Sequence, residues 1–304
     1  MLKHPGLTHD RIRQYIQREL IDHVLTDEIP LETELLIKDC SGEAEARAAK
    51  GWKAIKKGEN WGPAYQPGWY RVKGAVPAEW AGRCVVLTYG EAVVRWERHG
   101  MVEGTIWQEG QPTGGLDFGH QYFRLNDKAA GGEGIDLLVQ TYAHNKETTV
   151  HAPEKPRTPE PEEYRGFLLA CLDTELLDFA YDMEFALNHY EALPEGDLLK
   201  AQLLRAMNDA VNTAQGAGRK GILTAKKALK DALSALNGEI SHEMTAVGHA
   251  HLDTAWLWPL RVTELKMIHT TAVQLSNMER YPDYVFVHSQ ASQYQWLKDQ
   301  QPAL

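Results

Sequence analysis

Long apolar runs are missing from this 304-residue chain. A bilayer crossing needs about 20 consecutive apolar residues, and no stretch approaches that. The N-terminus, Met1-Leu2-Lys3-His4-Pro5-Gly6, lacks the apolar core of a signal peptide. Basic blocks are missing too. The formal net charge is −10, which argues against nucleic acid and anionic membranes as partners. Cysteine is scarce: Cys40, Cys84 and Cys171 are odd in number and scattered. They give no disulfide framework or zinc-finger spacing, and suit a reducing cytoplasm. A zincin signature is absent as well, because Ala246 stands where the second His of an HExxH beginning at His242 would be.

What remains is the composition of an ordinary soluble protein, 43% apolar and 24% charged, long enough for more than one domain. Its densest chemistry lies in Gly248-His249-Ala250-His251-Leu252-Asp253-Thr254-Ala255-Trp256-Leu257-Trp258-Pro259. The apolar run 244–247 leading into it reads as a buried strand. Alternation along that strand puts His249, His251 and Asp253 on one side, with Ala250 and Leu252 on the other. Three potential ligands then share a face where an α/β strand opens into a loop, the usual place for ligands in such folds. Imidazole and carboxylate suit zinc and similar divalent ions. In metallo-β-lactamase-like enzymes a His follows the Asp; here it is Thr254, which counts against them. An amidohydrolase barrel with His249 and His251 both as ligands stays open on this motif alone. The two indoles beside it suggest a flat, hydroxyl-rich ligand whose C–H face packs on an aromatic ring.

These residues resemble a known family. The stretch from Gly248 to Pro259, then Met278-Glu279-Arg280-Tyr281-Pro282-Asp283-Tyr284-Val285-Phe286 and Ser289-Gln290-Ala291-Ser292-Gln293-Tyr294-Gln295-Trp296-Leu297-Lys298, is similar to the opening of the catalytic domain in glycoside hydrolase family 38, the retaining α-mannosidases. The likeness is strongest over residues 244–304. Upstream, the sequence 80–87 and the stretch 114–120 are similar to the sandwich preceding the catalytic domain in the cytosolic-type and bacterial branch.

Taken in order, residues 8–25 predict an amphipathic helix, with Thr8 as cap and Ile12, Ile16, Leu20 and Val24 as its apolar stripe. It is read as a packing surface for another domain or subunit, which leaves room for a homo-oligomer. From about 69 to 142 the texture is all-β, with strands expected at 69–72, 83–88, 92–96, 122–125 and 135–142. Repeated short strands suggest a sandwich or jelly roll. Trp69, Trp96 and Trp107 read as core or interface rather than as a sugar-binding surface. Asp117 and His120 read as turn residues. Residues 152–163, with four prolines among charges, read as a stiff linker. A helical stripe then runs through Leu169, Leu172, Leu176, Phe179, Met183, Leu187 and Tyr190, with further helices after Asp197 and around Leu229 up to Gly238. The end reads strand, loop, helix over 263–280, strand over 284–289, and a last helix stopping near Pro302.

The expected fold is therefore multidomain α and β: an N-terminal helical arm (1–45), a jelly-roll-like β-sandwich (46–150), a Pro-rich linker (151–163), a helical region (164–240), and the first β/α units of a truncated α/β barrel-like catalytic domain (241–304). A complete barrel needs ~250 residues, so the chain is expected to be an N-terminal piece of a longer enzyme.

The resemblance implies metal-dependent hydrolysis of α-mannosides and oligosaccharides with retention, in the cytoplasm. It implies zinc, or another divalent cation such as cobalt, held by His251 and Asp253. Trp256 would stack on the sugar. His249 is expected beside the site, hydrogen-bonding to a ligand. The nucleophile, the acid/base and two further ligands belong to later parts of the family's catalytic domain, so no catalytic residue is expected before Leu304 and the chain alone is expected to be inactive. A different class of function, a non-catalytic carbohydrate-binding or scaffold fragment built on the sandwich, would show sugar binding by 46–150 unaffected by chelator.

Overall fold

The computed structural model describes residues 2–91, 102–143, 161–236, 243–256 and 258–304. Among them, in chain order, are α1 (Pro5–Tyr15), β1 (Leu25–Pro30), β2 (Glu32–Leu36), α2 (Glu43–Ala48), β3 (Lys53–Ala54), β4 (Asn60–Trp61), β5 (Pro67–Ala75), β6 (Cys84–Tyr89), β7 (Gly104–Gln108), β8 (Gln111–Leu116), β9 (Tyr122–Asn126), β10 (Gly134–Tyr142), β11 (Glu162–Glu163), β12 (Phe167–Leu172), α3 (Thr174–Ala192), α4 (Leu198–Ala214), α5 (Gly218–Ala235), β13 (Gly248–His249), α6 (Leu260–Arg280), β14 (Phe286–Val287) and α7 (Ala291–Gln300). The strand expected at 92–96, Trp96, Gly238 and most of the linker lie outside the described residues.

The chain divides into two compact units, one built mainly from Met1–Asp27 with Cys171–Met244, the other mainly from Glu28–Ala92, Trp96–Ala170 and Thr245–Leu304. In the first unit, α1 begins at Pro5, whose missing N–H costs nothing at a helix start, and Thr8 sits inside the first turn, where its hydroxyl donates to the His4 carbonyl. Thr8 is thus not the cap. The helix passes into a π turn over Ile16–Leu20 and a 3-10 turn over Ile21–His23, and Ile12, Ile16, Leu20 and Val24 are all buried. Asp173 and Asp197 cap α3 and α4 through the amides of Leu176 and Leu199. Acidic residues at the start of α3 form ion pairs: the cap Asp173 with Arg219, and Glu175 and Asp178 with Lys226. Leu169 and Leu172, assigned above to the helical stripe, lie in β12 instead. The run from Phe167 to Leu172 is continuously apolar, and such runs carry no period that separates strand from helix.

The jelly-roll sandwich has a six-stranded sheet, ordered β3-β2-β5-β10-β7-β8, and a four-stranded sheet, ordered β1-β12-β6-β9. Strands are not confined to residues 46–150, since β1 and β2 precede that span and β12 follows it. The hairpin β7–β8 turns at Glu109 and Gly110, both with positive φ, the geometry of a tight two-residue turn.

The six-stranded sheet is apolar on both faces, for two different reasons. Tyr70, Val72, Ile106, Leu137 and Val139 point into the sandwich interior, where they meet Leu87, Tyr89 and Phe167. Their neighbours Trp69, Trp107 and Leu138 point the other way, and pack with Met267 and Ile268 of α6 and Leu297 of α7. Alternation along β5, β7 and β10 thus supplies two cores from one sheet. Trp69 and Trp107 are each 1% exposed, which makes them interface residues and not a sugar platform.

Candidate metal and sugar site

The apolar lead-in is not a buried strand. Met244 is 91% exposed, no pairing is made over 243–247, and the strand consists of Gly248 and His249 alone. Its one partner is β14, in parallel, with Gly248 opposite Phe286 and His249 opposite Val287. A parallel strand with a single short partner has little to bury it. The approach of the two is close: the Tyr284 ring lies over Gly248 so that a Cβ would collide with it, and the Tyr284 hydroxyl donates to Gln274 Oε1 at 2.6 Å.

Past His249 the chain leaves strand geometry, so simple alternation does not govern the three ligand candidates. His251 Nε2 and Asp253 Oδ1 do meet, at 3.2 Å. His251 is 85% exposed at its side chain and Asp253 40%, so both donor atoms are open to an incoming ion. His249 is not part of this pair. Its ring stacks on His288, centroids 6.3 Å apart. Trp256 is 57% exposed and meets Trp258 edge-on at 5.8 Å. Trp258 is partly buried against Tyr142, Val262 and Leu265, and Lys266 Nζ sits 4.7 Å from its ring centre. Lys266 in turn pairs with Glu103, which also accepts from the Tyr142 hydroxyl at 2.9 Å. Burial, with the Glu103 charge beside it, holds the Tyr142 phenol well above its usual pKa, so it stays a donor.

Of four residues that the motif reading passed over, three shape this loop. Gln293, in the first turn of α7, is fully buried, and its amide nitrogen donates to the Leu252 carbonyl and to Thr254 Oγ1, both at 2.9 Å. His288 Nε2 donates to Gln293 Oε1 at 2.7 Å. Thr263, in the first turn of α6, is also fully buried; its Oγ1 accepts from the Ala255 amide and Trp258 Nε1, both at 3.0 Å, and donates to the Asp253 carbonyl at 3.3 Å. The fourth, His269 on α6, lies away from the loop. It bonds Asp117 Oδ2 at 2.7 Å through Nε2, and its Nδ1 is 3.4 Å from Thr105 Oγ1. Asp117 and His120 do act as turn residues: Asp117 Oδ1 accepts the Gly119 and His120 amides at 2.7 Å. No short sequence motif announces these contacts; Gln293 and Thr263 carry only a place near a helix start.

Among the described residues there is no cluster of three or more His, Cys, Asp or Glu able to hold a metal. The His251–Asp253 pair offers two donors of the type zinc accepts, converging and solvent-open, and so fits half of a four-donor site.

The His-x-His-x-Asp loop is thus tied to α6 and α7, whose buried faces pack on the outer side of the jelly-roll sandwich. Two family models agree: the jelly roll domain of alpha-mannosidase matches residues 34–170, and the glycosyl hydrolases family 38 N-terminal domain matches residues 241–304. The two stretches together resemble the N-terminal part of a glycoside hydrolase family 38 α-mannosidase. Alpha-mannosidase 2C1 of Mus musculus is 27% identical over 269 residues, which is 86% of this chain and 25% of that protein. Alpha-mannosidase G of Dictyostelium discoideum is 24% identical over 100% of this chain and 29% of its own length. The alpha-mannosidase of Saccharomyces cerevisiae is 45% identical over 56 residues, 18% of this chain and 5% of its own. The chain thus spans about a quarter of the length of the curated relatives that match most of it. Among solved structures, a Faecalibacterium prausnitzii beta-glucuronidase aligns with 48% of this chain and 32% of its own, at 16% identity and a TM-score of 0.31. No helix of the described residues is long and apolar enough to cross a membrane.

Proposed function

We propose that this chain supplies the leading section of a retaining, metal-dependent α-mannosidase, with residues 241–304 as the first β/α units of a barrel-like catalytic domain. The observation that carries the reading is the meeting of His251 Nε2 and Asp253 Oδ1 at 3.2 Å, three positions before the exposed indole of Trp256. His251 and Asp253 would hold zinc, or a similar divalent ion such as cobalt. When bound, the ion supplies Lewis acidity and a grip on sugar hydroxyls. Trp256 offers an apolar face to the C–H side of a hexose and so orients it. His249, stacked on His288, stands beside the pair and does not join it. Retaining hydrolysis also needs a nucleophile and an acid/base about 5–5.5 Å apart, and we assign neither role to a residue of this chain. Three buried free cysteines favour a cytoplasmic setting.

Zinc titration calorimetry on the chain and three variants tests the site. His251→Ala and Asp253→Asn are expected to abolish the bound equivalent that His249→Ala retains. Loss of that equivalent in His249→Ala as well as in His251→Ala would instead support an amidohydrolase-like site.

A further inference from the structure

The pair His251–Asp253 sits on a loop, and two polar side chains with no exposed surface hold that loop from its two flanks. Gln293 grips the chain on both sides of Asp253, at the Leu252 carbonyl and at Thr254 Oγ1. A backbone carbonyl can only accept, so the amide nitrogen must face Leu252 and Oε1 must face His288. His288 therefore carries its proton on Nε2 and locks the amide against rotation.

Thr263 grips the other flank. Its hydroxyl spends its one proton on the Asp253 carbonyl and fills both lone pairs with the Ala255 amide and the Trp258 indole. Ala255 has φ of +57°, a left-handed conformation that costs an L-residue roughly 1–2 kcal/mol. Such a conformation persists when its surroundings over-determine it, and the bond to Thr263 is one such constraint. The same hydroxyl also fixes Trp258, against which Trp256 packs.

We propose that Gln293 and Thr263 are positioning residues for the metal pair and its neighbouring indole, one from each helix that follows a strand. The proposal rests on the metal reading above. Partners outside the ligand set commonly shift metal affinity by roughly 10–100-fold. Gln293→Met and Thr263→Val keep approximate volume and remove the hydrogen bonds; Thr263→Ser keeps the hydroxyl.

The test joins hydrogen exchange over residues 250–256 with zinc calorimetry on the full chain. In both Gln293→Met and Thr263→Val, exchange over 250–256 is expected to rise roughly tenfold or more while α6 stays protected, and zinc affinity to fall by the factor just given. Thr263→Ser should behave as wild type on both counts. Unchanged exchange and affinity within twofold of wild type in a folded Gln293→Met or Thr263→Val would overturn the proposal. If one variant fails to fold, the other carries the same test. Should wild type show no His251-dependent zinc binding, the metal reading fails by itself, and the exchange arm still decides whether the two residues hold the loop.

Discussion

Asp117 illustrates how much a single carboxylate can organise. It accepts two backbone amides, the His120 ring at 3.0 Å and the His269 ring at 2.7 Å. Burial works to raise its pKa, but the hydrogen bonds and charges of His120 and His269 outweigh it and hold the carboxyl well below the usual carboxylate range. A depressed carboxylate contributes stability that is complete above its ordinary value near 3.9 and is lost as pH falls below that toward the folded-state value. Asp117→Asn is expected to cost about 2 kcal/mol near neutrality. Urea midpoints recorded from pH 7 to pH 2 should therefore converge between wild type and variant in the acid limb; a constant gap would show that the carboxylate charge contributes nothing.

At the level of elements, α6 is held to the jelly roll at a place where bulk is not tolerated. Gly115 of β8 faces His269, and a Cβ there would collide with the imidazole and approach the Gly104 carbonyl to 3.0 Å. Gly115→Ala is expected to destabilise by about 1–3 kcal/mol, as overpacking does, and to move the His269 ring resonances in NMR. Unmoved resonances would mean that β8 gives way and the imidazole stays put. Much of this layer was legible in sequence. Strands β5, β6, β9 and β10 each overlap an expected run, since turn residues frame them, and α6 and α7 fall where helices were expected, over 263–280 and up to near Pro302. The strand at 167–172 was not legible, because an apolar run has no period to read. Alternation puts His249, His251 and Asp253 on one side and the resemblance singles out His251 with Asp253; the two meet in a loop after the strand has ended, while His249 stacks on His288. Gln293 and Thr263 were invisible as functional residues because their partners are backbone groups, which every sequence possesses.

The whole molecule, at about a quarter of the length of its relatives, has two residues proposed above as donors to an ion that prefers four, and none proposed for nucleophilic attack. No metal-dependent turnover of an aryl α-mannoside by the purified chain is therefore expected. Release of the aryl group above blank on adding zinc or cobalt, and lost with Asp253→Asn, would show that the chain completes its own site. A broader consequence concerns β10, whose Leu137 and Val139 face the sandwich interior while Leu138 faces α6 and α7. Because inward and outward residues sit on consecutive positions, the two layers share one reading frame. Deleting or inserting a single residue in that strand would exchange the contents of both cores at once. Swapping this jelly roll for a foreign one in a chimera therefore means transplanting the outward indoles and leucine along with it, or leaving the helices that hold the His251–Asp253 loop without a seat.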